Sequence, residues 1–266
     1  MNVFREKFTY AFYEELLTEI KINRFICPIR DYAEFHDRPV TYLRHDIDIC
    51  LEAAWKMAKL ESDNNIFSTY MFMPNSSLYN IHVDPGKAVL NEIKDMGHEV
   101  SLHFDISNYP EIDPGNEQEK LQLKIIEESD VISSLIKENI LSFSLHRPLK
   151  IGSKILFGDM SYVCGLINCY SDQLMSSYFS DSKGGWRCGD PLKMYKPMLD
   201  VPINQLLVHP IWWDENHQHP EERIKFFYDR KTSNISKELC SKFASTLEET
   251  CPGVINSVSL LEEKPK

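Results

Sequence analysis

The 266-residue chain has no stretch approaching the roughly 18 consecutive apolar residues that a membrane-spanning helix needs. Its first segment, MNVFREKFTYAFYEELLTEI, lacks the unbroken apolar core of a secretory signal, with Arg5, Glu6 and Lys7 standing where that core would begin. Cysteine is scarce: there are seven, an odd number, with no Cys-x-x-Cys pair, and only Cys164 and Cys169 lie close enough to suggest a metal site. These absences lead us to expect a cytoplasmic protein with reduced thiols. Glycine is also scarce, at 10 residues, and no Gly-rich phosphate loop is present, which disfavours an open dinucleotide-binding sheet. Basic residues are outnumbered, 29 to 40, giving a net charge of −11. That balance argues against nucleic acid or an anionic membrane as partners. No repeat or Gly/Ser-rich linker divides the chain, and its length suits one large core.

What the chain does contain is an alternation. PVTYLRHD has the composition of a strand, and ICLEAAWKMAKLESDNN has the spacing of a helix, with apolar Leu51, Ala54, Trp55 and Ala58. IFSTYMFM, HEVSLHF, ILSFSLHRP, GLINCYSD and VPINQLLVHPIWW are further strands. GKAVLNEIKDMG, closed by Gly97, and EQEKLQLKIIEESDVISSLIKEN are further helices. Strands alternating with helices imply a mainly parallel sheet, and at this length an α/β barrel. We expect an N-terminal helical segment over residues 1–37, packed on a barrel of residues 38–266.

The strands share an ending. LRHDID, SLHFD, SFSLHRP, CYSD and LLVHP each run from apolar residues into His, Asp or Arg. In parallel barrels the C-terminal ends of the strands form the rim on which active sites are built. Within VTYLRHDIDIC, Asp46 and Asp48 are two apart on an extended segment, so they face one side while His45 faces the other. Two carboxylates aimed at one point repel unless a cation compensates them. The alternative use of the pair is to cap the helix that starts near Cys50.

Taken together these segments resemble the polysaccharide deacetylase family, metal-dependent carbohydrate esterases and amidases on a distorted (β/α) barrel, over roughly residues 40–213. HDID resembles the first motif, which implies Asp46 as general base and Asp48 as metal ligand. GHEVSLHFD resembles the second, with His103 as its first metal-binding histidine. HRP resembles the third, so Arg147 would hold the base aspartate. DSKGGW resembles the fourth, where Asp181 and Trp186 would support the catalytic histidine and wall the pocket. LLVHP resembles the fifth and implies His209 as general acid. The second motif usually carries another histidine four residues after the first; here that position is Ser107. His146, ending the strand ILSFSLH, is the candidate to complete the site with Asp48 and His103, and Asp105 is its competitor. Trp212 and Trp213 either fill the barrel mouth or, if exposed, suit the apolar face of a sugar ring.

Nitrogen and oxygen ligands with an open position suit Zn²⁺, and also Co²⁺, Ni²⁺ or Mn²⁺. The expected activity is removal of an acyl group from an N-acylated sugar or nucleotide sugar in surface-glycan synthesis, on a small-molecule or oligosaccharide substrate. Two competing readings are a catalytically silent barrel that binds a glycan precursor or partner, and a different carbon–nitrogen hydrolase on the same fold.

Overall fold

The computed structural model describes residues 3–34, 39–195 and 201–250. The chain divides after His217 into two compact units. The second carries helix α6 (Pro220–Thr250), which kinks at Phe243. No described helix is long and apolar enough to cross a membrane.

The first unit opens with α1 (Tyr10–Asn23), whose start is set by Thr9: its hydroxyl accepts the N–H of Phe12 and caps the helix. The helix therefore begins later than the amphipathic pattern of the first twenty residues suggests. Residues 3–9 before it are not helical, and Phe4 forms a β-bridge with Trp186. The short strand β1 (Phe25–Cys27) follows and joins the sheet. The expected boundary at residues 37 and 38 lies outside the described residues.

The sheet is centred on β2 (Val40–Ile47). It is followed by α2 (Leu51–Asp63), β3 (Thr69–Phe72), α3 (Gly86–Asp95), β4 (Glu99–Asp105), α4 (Gln118–Ile136) and β5 (Ser142–His146). A small hairpin, β6 (Lys150–Ile151) and β7 (Lys154–Ile155), precedes β8 (Tyr162–Val163) and β9 (Leu166–Asn168). The unit ends with β10 (Tyr178–Ser180), α5 (Pro191–Tyr195) and β11 (Ile203–Val208). The strand order is β10-β11-β2-β3-β4-β5-β9-β8, parallel throughout except for β8 against β9. β11 flanks β2 along one side; on the other, β1 pairs with Val40–Tyr42 and β3 with Arg44–Ile47.

β2 is buried at every position, as a central strand covered on both faces must be. Its odd positions face helices: Leu43 packs with Leu16 and Met57, and Ile47 with Ala54 and Ala58. Its even positions, Tyr42, Arg44 and Asp46, face inward. β4 and β5 repeat the division, with Leu102, Phe104, Phe143 and Leu145 in the core beneath the helices. Glu99, Ser101, His103, Ser142 and Ser144 occupy the other side.

The sheet is rolled. β2 and β9 are four places apart in the order, roughly 19 Å across a flat sheet. Yet Arg44 Nη2 of β2 lies 3.0 Å from the Tyr170 hydroxyl just beyond β9. Gln205 of β11 likewise donates to the Cys169 carbonyl at 2.8 Å. Side chains, not a backbone ladder, bridge the open edge. The fold is thus a distorted (β/α) barrel with a polar interior.

Candidate metal centre and active-site cleft

At the C-terminal rim of β2, β4 and β5, three ligand-type atoms meet. His103 Nε2 is 3.1 Å from Asp48 Oδ1, His146 Nδ1 is 3.3 Å from the same oxygen, and the two nitrogens are 3.2 Å apart. Among the described residues this is the one group of three that could hold a metal ion. Three donors around a tetrahedral ion at about 2.0–2.1 Å stand about 3.3 Å from one another, so the triangle has the size of a zinc-type site. The donors are also left over from other duties. Asp48 Oδ1 is buried yet receives no well-formed hydrogen bond. His103 Nδ1 sits 2.6 Å from Ser144 Oγ, and a proton there leaves the Nε2 lone pair free toward the triangle. The residues fit a divalent cation.

His146 stands where the sequence suggested a completing ligand, while Asp105 does not. The Asp105 carboxylate turns to accept the Ser107 N–H at 2.9 Å and caps the 3-10 turn Ile106–Asn108. That turn carries Ser107 away along the loop. Cys164 and Cys169 join no ligand cluster; the first is exposed and the second buried beside Arg44. Asp46 and Asp48 do not cap α2 either, since the cap residue is Cys50 and its side chain makes no cap bond.

Asp46, 3% exposed, lies beside the triangle, its Oδ2 3.6 Å from His103 Nε2. The guanidinium that holds it is not that of Arg147. Arg44, two residues earlier on the same face of β2, grips both oxygens: Nε donates to Oδ1 at 2.9 Å and Nη2 to Oδ2 at 2.8 Å. Arg44 is itself fully buried, bonded to Gln205 Oε1 at 2.8 Å and stacked over the Tyr170 ring. Burial pushes the Asp46 carboxyl up, but Arg44 and then His103 outweigh it and hold it below the usual range. Arg147, by contrast, is exposed and in the left-handed region at φ 53°. It turns outward just after β5, so no described bond joins it to Asp46. The spacing that pairs Asp46 with Asp48 also puts Arg44 on their side, and that was the available signal.

His209 ends β11 and faces the triangle from the other flank, with Nε2 3.9 Å from Asp48 Oδ2. Asp181, fully buried, accepts from His209 Nδ1 at 2.7 Å, from the His209 backbone N–H and from the indole of Trp213 at 2.9 Å. Burial lowers the His209 pKa, but Asp181, followed by Asp48 and Asp46, outweighs it and raises the value to about 9. Asp181 thus orients the ring and keeps a proton on it.

Of the three candidate substrate-binding tryptophans two are core: Trp186 does not wall the pocket, and Trp213 follows the barrel-filling alternative. Trp213 is fully buried against Phe8, Tyr13 and Trp186, and Trp186 is 2% exposed. Neither can touch a substrate. Trp212 does line the cleft, a cavity of about 560 Å³ that also meets Asp46, Asp48, His103, His146 and His209.

No family model and no curated protein matches the chain. Solved structures do. One is a family 4 carbohydrate esterase from Bacillus anthracis, 16% identical over 82% of this chain and 84% of that one, with a TM-score of 0.43. Another is a family 4 acetyl xylan esterase from Clostridium thermocellum in complex with a cobalt ion, 15% identical over 71% and 84%, with a TM-score of 0.42. A third is a family 4 pseudoenzyme from Bacillus anthracis, 11% identical over 74% of this chain, with a TM-score of 0.44. The chain spans less than two thirds of some matched proteins: 62% of that pseudoenzyme and 65% of a Streptococcus pyogenes deacetylase in complex with acetate.

Proposed function

We propose that the protein is a divergent polysaccharide deacetylase, a metal-dependent amide hydrolase that removes the acyl group from an N-acylated sugar. The reading is carried by one observation. A zinc-sized triangle of donors, Asp48, His103 and His146, is flanked on one side by the Asp46 carboxylate held by Arg44 and on the other by His209, whose Nδ1 faces the buried Asp181 carboxylate.

A divalent cation bound by those three residues supplies Lewis acidity, polarising the amide carbonyl and making water more acidic. Asp46 is the general base: its charge is fixed by Arg44, and it takes the proton of the attacking water. His209 is the general acid: with Nδ1–H given to Asp181, its Nε2 delivers a proton to the departing amine, which otherwise leaves poorly. Trp212 forms part of the wall against which the sugar lies.

The test combines metal content with acetate release from N-acetylated sugars. Wild type should take up about one divalent ion per chain. Asp48→Ala should lose it, and Asp46→Asn should keep the ion while losing turnover. Failure to take up Zn²⁺, Co²⁺, Ni²⁺ or Mn²⁺ on titration overturns the proposal.

A further inference from the structure

The transfer of duty from Arg147 to Arg44 leaves an unassigned cation at the site. Arg147 lines the main cleft and also an adjoining lobe of about 340 Å³, the two meeting at Asp48 and His146. Lys183 lines the main cleft as well. Among the described residues neither forms an ion pair or a side-chain hydrogen bond with a protein group. Both are exposed, and both hold left-handed backbone, φ 53° and φ 62°, which non-glycine residues adopt rarely and mostly where structure or function imposes it.

The carboxylates of the main cleft are, in contrast, engaged. Asp46 is neutralised by Arg44, and Asp48 belongs to the ligand triangle. Asp181, behind the cleft, is paired with His209, and Asp105 lines only the smaller lobe. The main cleft of a chain with net charge −11 is therefore locally cationic, a polarity that draws anions against the overall field. Trp212, which lines this cleft, keeps a buried indole N–H that has no hydrogen-bond partner among the described residues.

We propose that the substrate carries an anionic group, a phosphate or a carboxylate, and that Arg147 and Lys183 receive it in the main cleft. Arginine suits a planar or multidentate anion, and lysine adds a point charge. This inference rests on the deacetylase reading for its site but concerns recognition alone. It narrows the substrate class from N-acyl sugars in general to acidic ones.

Calorimetry on the zinc-loaded protein tests it with three probes: N-acetylglucosamine 1-phosphate, N-acetylmuramic acid and neutral N,N′-diacetylchitobiose. At least one anionic probe should bind about tenfold or more tightly than the neutral one, as a charge-assisted contact warrants. Which one does so distinguishes phosphate from carboxylate. Its affinity should fall with added NaCl. Arg147→Gln and Lys183→Gln should each cost several-fold for the anionic probe, by an amount on the order of that contact, and leave the neutral probe unchanged. Circular dichroism confirms the fold of each variant. The inference is overturned if the neutral probe binds as tightly as both anions, or if neither variant weakens the anion. Acetate release run in parallel separates the two proposals. Hydrolysis of neutral and anionic probes with equal kcat/KM sinks the anion site and spares the deacetylase. Selective anion binding without hydrolysis of any probe sinks the deacetylase and spares the anion site.

Discussion

At the residue scale the site turns on Arg44. A guanidinium with no water contact, bound bidentately to a carboxylate two residues away, is costly to remove, because its loss leaves a buried charge unpaired. Arg44→Met should lower stability by about 3–5 kcal/mol in urea titration. Arg147→Met, at an exposed position, should stay within about 0.5 kcal/mol of wild type. Equal losses in the two variants would return the clamp to Arg147. The neighbouring contrast concerns Asp181. It is the first of the carboxylates, ahead of Asp48 and Asp46, that raise the His209 pKa to about 9, so the acid form persists through neutral pH and is lost as pH rises through that value. Asp181→Asn removes its charge, and the alkaline limb of the kcat profile should move to lower pH. An unmoved limb would mean that a different group donates the proton.

At the element scale β2 carries the function on both faces. Its inner face presents Arg44, Asp46 and, just beyond, Asp48. Its outer face presents His45, whose Nε2 lies 2.7 Å from Glu61 of α2. Glu61, fully buried, also accepts from Ser68 Oγ at 2.6 Å, Tyr70 at 3.0 Å and the Tyr13 hydroxyl of α1. One carboxylate thus fixes β2 against two helices and β3. Burial raises its pKa, but His45, together with His98 and Ser68, outweighs burial and brings it down to about 2. A depressed carboxylate contributes stability above its unfolded pKa, near 4.3, and loses it as pH falls through the folded value. Glu61→Ala strands several buried donors, so it should cost about 3 kcal/mol or more at pH 7 and flatten the acid limb of the stability curve. A full-strength acid limb in the variant would assign that slope to other groups.

The same scale shows what the sequence disclosed. β4 and β5 were legible because polar and apolar residues alternate along them, and β2, β4 and β5 each run into Asp or His at the C-terminal end. Asp46, Asp48, His103, His146 and His209 follow from those ends. β1 and β10, three residues each, are too short to show a period, and they exist because β2 and β11 offer them partners. The fate of Trp186, and the choice between the two readings of Trp213, were illegible for another reason: nothing local says that residues 3–10 fold back to cover them. Phe8 packs on Trp213, and Phe4 forms a β-bridge with Trp186. Arg147 was misread because a sequence motif fixes residue type and order but not the turn of the chain after β5.

At the scale of the whole first unit, the metal triangle draws one ligand from each of three separate chain regions, at residues 48, 103 and 146. No unfolded chain holds these together, so an ion that binds them favours the folded state by mass action. At 100 times its Kd a divalent ion should add about 2.7 kcal/mol, readable as an upward shift of Tm. The size of that shift in variants ranks the ligands. His146→Ala should weaken binding at least about 10–100-fold, the loss seen even for groups that merely support a ligand, and should erase most of the shift. Asp105→Ala should keep it, since that carboxylate serves the turn at Ser107. Ser107→His should not raise it, because the position lies on the 3-10 turn beyond β4 and His146 already occupies the third corner. A large gain in zinc affinity on Ser107→His, with His146→Ala silent, would show that the third ligand comes from the loop after β4 and not from β5.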